Sequence, residues 1–295
     1  MKNWIKAFRL RTLPLAISGW LVGTSIAANV SQLNFLIAIL TLLTAIFLQI
    51  LSNLANDYGD ASSGVDKERK GEERMVSSGK ISALAMKQAM IVFGLLSLTS
   101  GCILVALAFP EDWVSAIIFL SLGIIGIAAS IKYTVGKNPY GYVGFGDVFV
   151  FIFFGIVLVF GTYYLQIQEL NWSVLLPATS LGLFSVGVLN VNNIRDIESD
   201  KAAGKNSIPV RLGRTKAVVY HGLLLGGGML TSVLFVLLNF ESYWPMIFLF
   251  INVLFLKNIQ AVSNKPLDEL DPYLKQMAIS TFLFSILFSL GQGLA

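Results

Sequence analysis

One cysteine and one histidine are all that the 295 residues of this chain contain of either type. A lone cysteine, Cys102, excludes an internal disulfide. Cys102 and His221 together are too few for a multi-cysteine or Cys/His metal centre. Charge is scarce as well: 13% of the residues are Asp, Glu, Lys or Arg, against 55% hydrophobic, and the mean hydropathy is +0.73. A water-soluble fold of this length needs a polar shell, and these residues do not supply one, so the solvent of the chain is lipid. Cys102 then reads as a small apolar filler in a helix, and His221, at the start of an apolar run, as an interfacial structural residue.

Charge is missing in long blocks. None falls in residues 12–56, which leaves room for two helices with a turn near residues 29–34. Further uncharged windows cover residues 88–110, 113–131, 148–168, 170–194, 217–240 and 276–295. Each is close to the roughly 20 residues that cross a bilayer. The window 242–256 is shorter, and reaches Val262 if Lys257 snorkels to the interface. The expectation is an all-α integral membrane protein of nine transmembrane helices, a single membrane-embedded domain over residues 1–295. The basic N-terminus, apolar run and "SIAANVS" have the outline of a signal peptide, but another membrane helix follows and cleavage would remove the first span.

Positive charge tests this count. With nine spans, the N-terminus and the loops after the second, fourth, sixth and eighth helices share one side, and all 21 Lys and Arg residues fall there. The other side holds Glu111, Asp112, Glu169 and Glu241. The basic side is then cytoplasmic, with the C-terminus outside. The pI of about 9.1 reports this topology. It does not indicate nucleic acid, because the charges are divided among loops and no basic module is present. No protein partner is inferred.

Two polar stretches interrupt the apolar pattern, each where an even-numbered helix reaches the basic side: "NLANDYGD" from Asn53 and "NVNNIRDIESD" from Asn190. On a helix Asn53, Asn56, Asp57 and Asp60 share an arc of about 100°, and Asn192, Asp196 and Asp200 one of about 80°. "DASSG" ends the first helix near Gly64, so Asp66 reaches back from a loop. Carboxylates crowded in this way repel unless a cation sits among them, and a hard divalent ion such as Mg²⁺ suits oxygen ligands. Mg²⁺ commonly bridges one or two carboxylates to phosphate oxygens. Arg69 and Arg74 after the first stretch, and Lys205 and Arg211 after the second, supply what a diphosphate needs. The two stretches lie four spans apart on helices of the same direction, which suggests a parallel internal repeat with a site between its halves.

At these residues the chain resembles the UbiA superfamily of intramembrane prenyltransferases. The likeness is carried by "NLANDYGD…GVD", "YTVGKNPYGYVGFGD" and "NNIRDIESD…AGKNSIPVRLG", and extends from "RLRTLPLAISGWLVGT" over nearly the whole chain. It is closest to the bacterial branch that prenylates 1,4-dihydroxy-2-naphthoate in menaquinone synthesis. The resemblance implies a nine-helix bundle with a central cavity under cytoplasmic cap loops, in the bacterial cytoplasmic (inner) membrane. It implies Mg²⁺-dependent transfer from a polyprenyl diphosphate to the naphthoate, with decarboxylation to demethylmenaquinone. Carried over by position, the metal set is Asn56, Asp60, Asp66, Asn192, Asp196 and Asp200. Gly64 stands where many members have an aspartate, which leaves open whether Asp57 or Asp66 completes the first set. Asp60, Asp196 and Asp200 are the expected catalytic carboxylates. Tyr140 either supports the developing cation or anchors at the interface. Asn53 adds polar lining, and Asp147 suits a helix N-terminus. The alternatives are another aromatic acceptor, such as 4-hydroxybenzoate or homogentisate, and, outside enzymes, an ion or solute transporter.

Overall fold

The computed structural model describes residues 1–63 and 74–295. All regular elements among the described residues are helices: α1 (Lys2–Phe8), α2 (Leu13–Ala28), α3 (Phe35–Ser63), α4 (Ala83–Ala108) and α5 (Trp113–Lys132). They continue with α6 (Gly146–Ile167), α7 (Leu175–Arg195), α8 (Ile197–Ala202), α9 (Ile208–Leu212) and α10 (Arg214–Leu238). The last two are α11 (Trp244–Asn264) and α12 (Asp271–Gly293). Eight of these are long and apolar enough to cross a membrane. The other member of the expected nine is α2, whose 16 residues rise about 24 Å, short of the hydrocarbon thickness. The chain is an integral membrane protein. The span over the short window 242–256, α11, is continuous from Trp244 to Asn264 and is entered through a 3₁₀ stretch, Trp244–Ile251.

The sequence sets where the spans begin. Asn34 Oδ1 accepts the Leu36 and Ile37 amides at the start of α3 (3.1 and 3.3 Å). Ser82 accepts the Ala85 amide at the start of α4. Asp112 accepts the Val114 and Ser115 amides at the start of α5, both at 3.1 Å. Each cap satisfies orphan donors of the first turn, and hydrogen bonding from Ser115 holds the Asp112 carboxyl below the usual carboxylate value. Large apolar side chains on α5, among them Ile117, Ile118, Ile124 and Ile125, are exposed on the bundle surface, as lipid contact requires.

Packing is uneven, and that unevenness makes the site. Span α7 is the most buried of the eight. Phe184 on it is fully buried, with ring centroids 4.7 Å from Phe255 and 4.8 Å from Phe284. Span α6 closes on α7 at Gly155: a Cβ there would lie 2.5 Å from the Ala178 carbonyl oxygen and 2.7 Å from the Gly182 Cα. Over Phe151–Phe160, α6 winds as a π-helix. Within this wider winding the pairs Phe153 and Phe154, and Val157 and Leu158, line a cavity beside α3, α4 and α5, continuing from Phe149 and Val150 in the α-helical turn before it.

His221 is not interfacial. It is fully buried, and its Nε2 lies 2.9 Å from Asn258 Oδ1. Asn258 Nδ2 donates to the Tyr273 carbonyl (2.9 Å) and to Gln276. This side-chain network ties α10, α11 and α12 together where apolar packing alone gives no register.

Candidate active site

One cavity of about 360 Å³ opens among the helices. Most of its wall is apolar, and Asn53, Asn56, Asp60, Arg74, Tyr140, Asn192 and Lys205 all contribute to its lining. The two polar stretches, more than a hundred residues apart in sequence, thus meet at one chamber.

The first stretch sits on the last turns of α3. Asp60 is buried; its Oδ2 accepts Arg74 Nη2 at 2.7 Å and its Oδ1 accepts the Tyr142 hydroxyl at 2.9 Å. Asp57, on the same helix face by spacing, is engaged elsewhere. Its two carboxylate oxygens accept the Met75 and Val76 amides, both at 2.9 Å, and it does not line the cavity. Asp57 therefore departs from the expected metal set: it fastens the chain segment that carries Arg74 onto Asp60. Asn53 is held similarly, donating to the Phe8 carbonyl and to Thr12 Oγ1 at 2.9 Å each, which docks α1 on α3. Asn56 Oδ1 accepts from Thr134 Oγ1 at 3.3 Å. Asp66 and Arg69 lie outside the described residues.

The second stretch is not one continuous helix. α7 ends at Arg195, Asp196 is the junction with φ −96° and ψ 13°, and α8 starts at Ile197. The i to i−4 bonds survive the bend, from the Asp196 amide to Asn192 (3.1 Å) and from the Asp200 amide to Asp196 (2.8 Å). Asp196 is buried against the neighbouring Arg195, whose Nε and Nη2 donate to its two oxygens at 2.8 Å. Arg195 also donates to Asn192 Oδ1 (2.9 Å) and to Asp271 (2.5 Å), and Arg11 joins at Asp271 (3.3 Å). Asp200, also buried, lies 3.3 Å from Lys205 Nζ; Lys205 and Asn192 line the cavity, whereas Asp196 and Asp200 do not.

Arg211 departs from expectation. It is exposed, and donates to the Val143 carbonyl (2.5 Å) and the Asn206 carbonyl (3.1 Å) rather than facing the cavity. The Tyr140 ring lies on the cavity wall, stacked 4.0 Å from Phe149, and its hydroxyl donates to the Ala129 carbonyl at 2.9 Å. Burial, and next the nearby Tyr133, push its hydroxyl well above the ordinary tyrosine value, so it stays protonated. Asp147 is buried and accepts the Tyr220 hydroxyl at 2.9 Å, a link from α6 to α10.

Sequence reasoning missed Arg195 and Tyr142. Arg195 stands inside the second stretch beside Asp196 and was readable there as a charge partner. Tyr142 carried no such signal. It lies two residues from Tyr140 in a 3₁₀ turn, Tyr140–Val143; at three residues per turn the two side chains leave in different directions.

Among the described residues, no three of His, Cys, Asp and Glu converge as a metal cage. The donor set fits a different arrangement. Asp60, Asn56 and Asn192 offer oxygens, while Arg74 and Lys205 bring positive charge to the same chamber. Such a set suits a divalent ion that shares its coordination with ligand phosphates.

The UbiA prenyltransferase family profile matches residues 16–284. The chain is 43% identical over 296 aligned positions to the 1,4-dihydroxy-2-naphthoate octaprenyltransferase of Haemophilus influenzae, covering 99% of this chain and 96% of that one. Against the 1,4-dihydroxy-2-naphthoate octaprenyltransferase of Escherichia coli the identity is 43%, over 98% and 94% of the two chains. Among solved structures, a UbiA homologue from Aeropyrum pernix aligns with a TM-score of 0.72 at 14% identity, over 96% of this chain and 97% of that one. A UbiA homologue from Archaeoglobus fulgidus bound to GPP and Mg²⁺ aligns with a TM-score of 0.68 at 15% identity, over 97% and 99%. At these identities the two structures speak for the fold alone.

Proposed function

Because the chain belongs to the UbiA prenyltransferase family, we propose that it transfers a polyprenyl group from polyprenyl diphosphate to 1,4-dihydroxy-2-naphthoate, releasing carbon dioxide. The product, in its quinone form, is demethylmenaquinone. The observation that carries this reading is that Asp60, Arg74 and Lys205 line one apolar membrane cavity, Asp60 paired with Arg74 and Lys205 backed by Asp200. A diphosphate head and a polyprenyl tail require that combination. The choice of naphthoate is supported by the names of the relatives at 43% identity.

Of the expected set, Asn56, Asp60 and Asn192 line the cavity and would hold Mg²⁺ with the diphosphate, with Asp196 and Asp200 behind them on Arg195 and Lys205; the ion would neutralise the leaving group. Arg74 and Lys205 bind the phosphate oxygens and stabilise the charge that develops on them. The allylic C–O bond breaks and its electron pair leaves with the diphosphate. The apolar walls of α3 to α6 exclude water from the allylic cation, and the faces of Tyr140 and Phe149 line its chamber. The naphthoate ring forms the new C–C bond at the carbon bearing its carboxylate. The C–CO₂ bond then breaks and aromaticity returns.

The setting proposed is the bacterial cytoplasmic membrane, with the N-terminus and the site's loops cytoplasmic and the C-terminus outside. The test is purified protein with Mg²⁺, polyprenyl diphosphate and a panel of aromatic acceptors, read by mass spectrometry. The expected product has gained the prenyl group and lost the carboxylate. Prenylation of 4-hydroxybenzoate with its carboxylate retained, and none of the naphthoate, would contradict the assignment of acceptor.

A further inference from the structure

We infer that Tyr142 positions the two halves of the diphosphate site against each other, its hydroxyl orienting Asp60 and its ring facing the Lys205 ammonium; this rests on the prenyl-transfer reading. The Tyr142 hydroxyl donates to Asp60 Oδ1 at 2.9 Å. Lys205 Nζ lies 5.8 Å from the centroid of the same ring, and 3.3 Å from Asp200. One side chain thus bonds a carboxylate of the first stretch and faces the lysine that follows the second. The path Asp60, Tyr142, Lys205, Asp200 spans from the end of α3 to the loop after α8.

The backbone around Tyr142 is built to keep it there. Its carbonyl accepts the Asn206 amide at 2.8 Å. Arg211 clips the Val143 and Asn206 carbonyls together. Gly144 has φ 82°, and a Cβ on it would lie 2.9 Å from both the Arg211 guanidinium and the Asn206 carbonyl. Glycine alone suits both that conformation and that space. Arg211, which does not reach the cavity, therefore ties the turn carrying Tyr142 to the loop carrying Lys205. Tyr142 is half-buried and does not line the cavity, which makes it a positioning residue. Its contribution is preorganisation. A carboxylate already fixed in rotation gives up less freedom when a metal–diphosphate binds.

The deciding experiment is Tyr142→Phe in the full chain, compared with wild type in three measurements. These are the unliganded Tm, the Tm gain with Mg²⁺ plus a non-reactive prenyl thiolodiphosphate, and KM and kcat for each substrate. Phenylalanine keeps the ring and drops the hydroxyl. The unliganded Tm and the KM for naphthoate should match wild type. The Tm gain should shrink, and the Mg²⁺ concentration for half-saturation should rise about tenfold, a change of about 1.4 kcal/mol. Tyr142→Leu, which also removes the ring, should raise the KM for polyprenyl diphosphate as well. In an Asp60→Asn background, Tyr142→Phe should add no further loss of ligand stabilisation. The inference is overturned if Tyr142→Phe leaves the Mg²⁺ dependence and the Tm gain at wild-type values. It is also overturned if the substitution lowers the unliganded Tm and raises both KM values together, the mark of a fold role. An inactive wild type would instead bring down the prenyl-transfer reading; an active wild type with an indifferent Tyr142→Phe removes only the role of Tyr142.

Discussion

Asp60 and Asp57 lie three residues apart on α3, yet their carboxylates do opposite things. Asp60 meets Arg74 and Tyr142 at the cavity, whereas Asp57 spends its oxygens on the amides of Met75 and Val76. Substituting either should lower activity, by different routes. Asp60→Ala or Asp196→Ala should abolish transfer while the protein still inserts and folds. Retention of more than roughly a tenth of wild-type kcat/KM, a barrier change of only about 1.4 kcal/mol, would contradict a part for them in the site. Asp57→Ala should instead lower the Tm, since the buried Met75 amide loses its acceptor at about 1–3 kcal/mol and the part-buried Val76 amide loses its own. Tyr140 makes a prediction about pH. Burial raises its pKa above the ordinary tyrosine value, so its hydroxyl remains neutral throughout the usual assay range and adds no ionisation to the rate profile. Tyr140→Phe should keep the shape of the kcat/KM profile between roughly pH 6 and 9; a lost or shifted limb would show that the hydroxyl titrates in turnover.

Among elements, α6 has a geometry that sequence periodicity did not reveal. Its apolar window reads as an ordinary span, yet residues Phe151–Phe160 wind as a π-helix. The close approach at Gly155 holds that helix on α7. Gly155→Val should displace it, because its Cβ would press on the Ala178 carbonyl and the backbone of Gly182. The cost expected is about 1–3 kcal/mol, seen as a lower Tm in detergent together with a higher KM for the prenyl donor, whose chamber α6 walls. A Tm equal to wild type would show that the contact does not constrain α6. The bend at Asp196 is a second feature of this kind. A stripe drawn on a straight helix placed Asn192, Asp196 and Asp200 in line, whereas α7 stops at Arg195 and the carboxylates are redistributed onto Arg195 and Lys205.

At the scale of the whole molecule, the segregation of all 21 basic residues to alternate loops makes an orientation prediction. In a Cys102→Ala background, a cysteine at position 169 should react with a membrane-impermeant maleimide added from outside the cell. Labelling only after the inner face is opened would reverse the topology. The removal of Cys102 is needed because it is the chain's one thiol and is exposed.

Composition and charge by themselves determined that the chain lives in lipid, how many spans it has to within the short α2, and which end of the bundle gathers its cations. Those properties follow from solvation of each segment on its own: a run of about twenty apolar residues has one favourable environment wherever its neighbours lie. The short polar stretches likewise marked Asp60, Asn192 and Lys205, because a buried carboxylate or amide in a greasy chain needs a partner. Tertiary structure decided who that partner is. Asp57 turned to a returning backbone, Arg211 to two loop carbonyls, and Tyr142 instead of Tyr140 to Asp60. Each choice depends on where a separate loop lands, far along the chain, and on a turn of one or two residues in a 3₁₀ segment. Helical spacing fixes which side chains share a face of one helix, but a hydrogen bond between elements is settled only when the loops close and the groups compete for the same few ångströms of buried space.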